Sequence, residues 1–260
     1  MSTVHKTLSG HNAALSDCAW SFDSKTLATA SDDSDVFIWD IETGRCLMIL
    51  SGHSAPVLCC NYSPTNTLVA SASCDETVRL WDTSNGNCVS VLPAHADPVT
   101  AIYFSNDGTV LLSTSHDGIW RAWDVHTGCC LKSVDLHVAL SSVLYTPKSQ
   151  VICTVTSNGE LLLWDLAVEK CIARLSCERS RYFNGLQPCF VKKESCFLVV
   201  VSGNDSLHIW EMKTGVQKLN FETIDVGQCS KSTLVVYSES SDCLVTCSSG
   251  VRYMSVWVSK

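Results

Sequence analysis

Tryptophan recurs along this chain at a nearly constant interval. Trp39, Trp81, Trp123, Trp164, Trp210 and Trp257 stand 42, 42, 41, 46 and 47 residues apart. Histidine keeps step, with His11, His53, His95 and His137 each 42 residues from the next. A period of about 20–50 residues marks a fold assembled from copies of one supersecondary unit, because no copy can bury its apolar face alone. The chain must therefore be read as a series of like units.

Each unit reads as short strands. In the second, residues 56–62 run into a Ser63-Pro-Thr-Asn66 turn, residues 67–73 into Cys74-Asp-Glu76, residues 77–81 into a turn over Ser84–Asn87, and residues 88–92 follow. Strands of this length separated by Asn, Asp, Gly, Pro and Ser predict consecutive hairpins, four strands to a unit. No stretch sustains a helical period. Charged residues make up only 17% and apolar residues 46%, as expected of sheets stacked face to face with both sides of their inner strands buried. With 260 residues, one β domain over 1–260 is expected.

Four of the tryptophans precede aspartate, at Asp40, Asp82, Asp124 and Asp165, and the histidines follow Gly10, Gly52, Ala94 and Leu136. This Gly-His…Trp-Asp pattern resembles the WD40 repeat, each copy of which folds as one four-stranded blade of a β-propeller. The expected class is all-β, a WD40 β-propeller with six recognisable blades. Residues 4–8 read as an outer strand without a blade, and the last unit ends at Trp257 without an outer strand. The expectation is that these halves join to close a six-bladed ring. The rival is a seven-bladed ring missing one blade.

Serine, histidine and aspartate recur in each good unit, which invites comparison with a hydrolase triad. A triad needs one exposed nucleophile and an oxyanion hole, not several identical copies, and no G-x-S-x-G elbow is present. The resemblance instead implies a structural network in each blade: His11, Asp33 and Trp39; His53, Asp75 and Trp81; His95, Asp117 and Trp123. A strand hydroxyl joins each set, Ser71 or Ser73 in the second. Asn158 and Asn204 take the place of the acid later on. The chain is read as no enzyme.

Sixteen cysteines raise the question of disulfides or metal, but there is no C-x-x-C and no H-E-x-x-H. Cys46, Cys88, Cys130 and Cys171 hold equivalent positions in the repeat and are expected to be reduced and buried, packing as small hydrophobes. No metal and no cofactor are expected. The net charge of −8 disfavours nucleic acid, which binds through cations meeting phosphates, and suits basic protein partners. The apolar runs are too short to cross a bilayer and no secretory leader opens the chain, so an intracellular, reducing location without membrane contact is expected.

A closer resemblance rests on Gly52-His-Ser54 with Val57–Tyr62, Cys74–Asp82, Leu92–Thr100 and His116-Asp-Gly118. These segments are similar to the WD-repeat subunit of histone H3 lysine-4 methyltransferase core complexes, a seven-bladed family whose first blade has no equivalent here. The resemblance implies a chromatin-regulating, nuclear scaffold, with the cytoplasm as the alternative location. Its partners would be arginine-containing segments of the methyltransferase or the histone H3 tail, the arginine entering a central channel between two aromatic rings. By repeat register the lining falls on Ser16, Leu58, Thr100 and Ser141, with Asp32 as the acid beside the opening. Leu58 stands where one stacking ring is expected, and the other falls on Leu186 or Gln187. Cys74 and His116 replace two further aromatics. A second peptide surface of the family maps to Lys148, Val151 and Leu163, the first two replacing Asn and Tyr. The alternatives are a generic adaptor, such as a ubiquitin-ligase substrate receptor, or an enzyme on a propeller scaffold.

Overall fold

The computed structural model describes residues 7–146, 150–176, 189–192, 196–202, 206–212, 224–225, 233–238, 243–248 and 254–258, with side chains as far as Arg174. It divides into two compact units, Met1–Leu140 and Ser141–Lys260.

The first unit holds three four-stranded antiparallel sheets, each a simple meander. The first sheet is β1 (Leu15–Trp20), β2 (Thr26–Ser31), β3 (Asp35–Asp40) and β4 (Cys46–Ser51). The second is β5 (Val57–Tyr62), β6 (Leu68–Ser73), β7 (Val78–Asp82) and β8 (Cys88–Leu92). The third is β9 (Val99–Phe104), β10 (Val110–Ser115), β11 (Ile119–Asp124) and β12 (Cys130–Asp135).

Two apolar cores lie between these sheets. Ala28, Ala30, Val36, Ile38 and Leu50 of the first sheet meet Val57, Cys60, Tyr62, Val69 and Trp81 of the second. Ala70, Ala72, Val78, Leu80 and Leu92 of the second meet Val99, Ile102, Phe104, Leu111 and Trp123 of the third. Consecutive residues Val69 and Ala70 of β6 thus enter different cores, because side chains alternate across a strand. A sheet buried on both faces has little room for charge, which accounts for the low charged fraction. Burying each large apolar side chain contributes about 1.5–3 kcal/mol.

The β3–β4 type of hairpin needs a left-handed residue four positions after the Trp-Asp aspartate. Gly44, Gly86 and Gly128 supply it at φ 74°, 73° and 69°, and their amides donate to the carbonyls of Asp40, Asp82 and Asp124 at 2.8 Å. In the fourth repeat Glu169 takes the same conformation, at φ 59°, where a side chain costs more than glycine's bare Cα.

The second unit contains β13 (Leu140–Tyr145, its first residue closing the first unit), β14 (Val151–Thr156), β15 (Glu160–Asp165) and β16 (Lys170–Ser176) as a fourth meander. Strands β17 (Cys189–Lys192), β18 (Cys196–Ser202), β19 (Ser206–Met212) and β20 (Ile224–Asp225) form a fifth. Strands β21 (Thr233–Ser238), β22 (Cys243–Ser248) and β23 (Met254–Val258) form a three-stranded sheet. Among the described residues every element is a strand. The proposed closing strand at residues 4–8 lies largely outside the described residues.

Candidate functional site

The residues placed by register at the channel lining share a backbone feature that counting does not reveal. In the first sheet Leu15 pairs with Ser31 and Asp17 with Ala30, leaving Ser16 as an extra residue. In the second, Val57 pairs with Ser73 and Cys59 with Ala72, leaving Leu58. In the third, Val99 pairs with Ser115 and Ala101 with Thr114, leaving Thr100. Each is the bulged residue at the start of its sheet's first strand. A bulge breaks the pairing and re-aims its side chain, which is how sheets often present groups at a binding edge.

The chemistry at the three bulges differs. Ser16 is exposed and its hydroxyl donates to Asp32 Oδ1 at 3.1 Å. Asp32 is itself exposed, in the β2–β3 turn, and keeps its other oxygen for a partner. Leu58 is half-buried and offers only apolar surface. The Thr100 hydroxyl lies 3.1 Å from the Thr114 carbonyl and 2.9 Å from the Leu140 carbonyl, either of which can take its proton. Cys74 is half-buried, its thiol pushed up by burial and by the carboxylates of Asp32 and Asp75. His116 is exposed. The three bulged residues of the first unit are thus two hydroxyls and one aliphatic side chain, and one of the hydroxyls holds a turn carboxylate.

In the second unit, the Ser141 hydroxyl donates to the Val155 carbonyl at 3.2 Å. Val151 is half-buried at the start of β14, and Leu163 is buried in β15, so its side chain presents little surface for docking. Leu186, Gln187 and Lys148 lie outside the described residues.

Behind the bulges each of the first three sheets carries a hydrogen-bonded series. In the second, Trp81 Nε1 donates to Ser71 Oγ at 2.8 Å. Ser71 Oγ lies 2.8 Å from His53 Nε2, and His53 Nδ1 lies 2.8 Å from Asp75 Oδ2. The ionised Asp75 can only accept, so the proton of the neutral imidazole sits on Nδ1 and Nε2 accepts from the Ser71 hydroxyl, which in turn accepts from the indole. Trp39, Thr29, His11 and Asp33 repeat the arrangement at 2.8 Å throughout. Trp123, Ser113, His95 and Asp117 repeat it at 2.8–2.9 Å. Ser71 and not Ser73 is the hydroxyl used; Ser73 donates to the Ala55 carbonyl instead.

Burial opposes charge on Asp75, but hydrogen bonds from Thr77, His53 and the Ser54 amide outweigh it and hold the carboxyl at about 2. Burial holds His53 and His95 below the usual imidazole range, against the pull of Asp75 and Asp117. The fourth histidine behaves differently. The side chain of His137 is 85% exposed and bonds Asp135 at 3.1 Å. Its spacing to tryptophan is 27 residues where the others have 28, and Asn158 stands at the acid's position.

Among known families, the WD40 description (WD domain, G-beta repeat) matches residues 2–40, 44–82 and 86–124. These three stretches are WD40 repeats, and the four-stranded antiparallel meanders fit a WD40 β-propeller. The repeats end on Asp40, Asp82 and Asp124, the last residues of β3, β7 and β11. The second and third repeats therefore begin with the outer strand of the sheet before them: the match over 44–82 contains β4, β5, β6 and β7, while the second sheet is β5 to β8. Successive sheets are sewn together by the chain itself.

The WD40 geometry also corrects the expectation for the recurring cysteines. Cys46, Cys88, Cys130 and Cys171 are exposed, not buried. Each pairs with its sheet's tryptophan across the outer hairpin, next to a second bulge at Leu47, Val89, Leu131 or Ile172. Each thiol spans that bulge and donates to the carbonyl two residues on, at 3.3–3.4 Å. The repeat conserves its own thiols at a bulge, not a packing position. Among the described residues no group of three or more His, Cys, Asp or Glu side chains could hold a metal ion.

Proposed function

We infer that this chain is a protein-interaction scaffold, the general role of WD40 repeats such as those it carries. We propose that it takes an arginine-bearing peptide at the bulged strand starts, as the resemblance to the histone H3 lysine-4 methyltransferase subunit implies, and works in the nucleus as a non-catalytic member of such a complex. The observation that carries this reading is the Ser16–Asp32 pair: an exposed carboxylate held by a bulged serine, open to a guanidinium that prefers a planar oxygen pair. Leu58 supplies an aliphatic wall in place of an aromatic face. That exchange forgoes roughly 0.5–2 kcal/mol of cation–π attraction, so binding is expected in the micromolar range.

The histidine series supports a non-catalytic reading. The Ser71 hydroxyl is fully buried, accepts from Trp81 and donates to His53, which leaves no exposed nucleophile there.

Calorimetric titration with a methyltransferase-type arginine peptide tests the proposal, against the same peptide with alanine for arginine. Micromolar binding that is lost with the alanine peptide and weakened about ten- to a hundredfold by Asp32→Ala is expected, since hydrogen bonds to charged groups are worth about 1.5–3 kcal/mol. No binding by a folded sample overturns the arginine site and leaves a scaffold with a different ligand.

A further inference from the structure

The four equivalent thiols of the outer strands form a comparison built into one molecule. All are exposed, all stand beside the same bulge, and all donate to the carbonyl two residues on. Their surroundings differ at the residue two before the tryptophan, which is Phe37, Arg79, Arg121 or Leu162. Phe37 and Leu162 bring no charge. Arg121 donates Nη1 to the Ala94 carbonyl at 2.7 Å and reaches Asp117 at 3.4 Å, away from Cys130. Arg79 alone of these residues reaches its thiol, with Nη1 3.9 Å from Cys88 Sγ.

Arg79 is held in that position. Its guanidinium carbon lies 6.0 Å from the centre of the Trp81 ring, over its face. Gly52 leaves the room: a Cβ there would stand 3.0 Å from Arg79 Nη1 and 3.2 Å from Trp81. The Arg79 Nε atom is buried and has no hydrogen-bond partner among the described residues. The guanidinium thus sets a permanent positive charge 3.9 Å from an exposed sulfur, through Nη1, where it can stabilise negative charge that develops on that sulfur during reaction. Cys46, by contrast, is raised by partial burial, and the thiols of Cys59, Cys60 and Cys153 are fully buried and held neutral.

We propose that Cys88 is a redox modification site, a thiol that Arg79 activates towards peroxides. The Cys88 thiolate attacks one peroxide oxygen; the S–O bond forms as the O–O bond breaks. Hydroxide departs and takes a proton from solvent, so the peroxide is reduced to water while the sulfur is oxidised to sulfenic acid. A small-molecule thiol such as glutathione then displaces water from that sulfur and leaves a mixed disulfide.

Limited alkylation of the native full chain with iodoacetamide, read peptide by peptide by mass spectrometry, tests this. Cys88 is expected to label about five- to tenfold faster than Cys46, Cys130 and Cys171, and to be the first site tagged by dimedone after hydrogen peroxide is added below stoichiometry. Arg79→Gln should bring Cys88 down to the rate of Cys130, and Arg79→Lys should keep part of its lead. Equal rates at Cys88 and Cys130 in the unmodified chain overturn the proposal, as does an Arg79→Gln variant with an unchanged circular dichroism spectrum that keeps the lead. Should that variant not fold, the salt response of the unmodified chain decides. A lead carried by the guanidinium shrinks between about 0.05 and 0.5 M salt, and one that does not is carried by something else.

Discussion

The first two sheets carry the same hydrogen-bonded series, yet what lies over the histidine differs. In the first, the Phe37 ring stacks on His11 with centroids 3.9 Å apart. In the second, the corresponding residue is Arg79, which turns to Trp81 and Cys88 and whose charge helps to depress His53. The carboxylates differ too. Asp75 receives the Thr77 amide and hydroxyl, the Ser54 amide and His53; Asp33 receives the Asn12 and Asp35 amides and His11. The interior of a blade is thus fixed by four residues, while the neighbour at its rim is free to vary and sets the local electrostatics.

The largest effect expected is at the tryptophans. Trp81→Ala should cost about 3–5 kcal/mol in urea unfolding, as large aromatic truncations in a core do, and Trp39→Ala about as much, since both rings are buried. Trp81→Phe isolates the bond to Ser71 and should cost about 1–3 kcal/mol. A Trp39 variant far milder than its Trp81 counterpart would break the equivalence of the two sheets.

Next comes pH. His53 and His95 are depressed on folding, so the unfolded chain binds protons more readily and stability falls as pH drops below the ordinary imidazole value of 6.5. Asp75 is lowered from 3.8 to about 2, so its contribution is present above 3.8 and is lost as pH falls through about 2. Urea unfolding at stepped pH should show both stages. Asp75→Asn should flatten the lower one, and Asp33→Asn should flatten it less.

The smallest effect sharpens the contrast at the rim. Arg121 Nη1 stands 2.8 Å from His95 Nδ1 and its charge lowers the imidazole. Arg121→Met should raise the His95 titration seen by NMR while leaving His53 in place. An unmoved His95 would mean that burial alone depresses it.

Much of this was readable from spacing alone. In the first three units the tryptophans, histidines and aspartates sit in hydrophobic or turn positions that repeat every 42 residues, and a period reports equivalence directly. What it does not report is the side of a strand on which an equivalent residue ends up. Recurrence in step with core residues predicts a buried place for Cys46 and its three counterparts, but a bulge shared by every copy turns them outward. The same blindness hid the bulges at Ser16, Leu58 and Thr100. For His137 the warning was present: one residue fewer before its tryptophan, and asparagine for aspartate.

The offset between repeat and sheet has a consequence for inheritance. If a segment of 42 residues is duplicated or excised between equivalent points, the join falls inside a sheet whose remaining strands come from a neighbouring copy. Every sheet then still receives four strands, and no half-built one is left within the array. Unequal recombination can lengthen or shorten such a gene by whole repeats while the protein's internal ladders stay complete, so family members can differ by an entire blade.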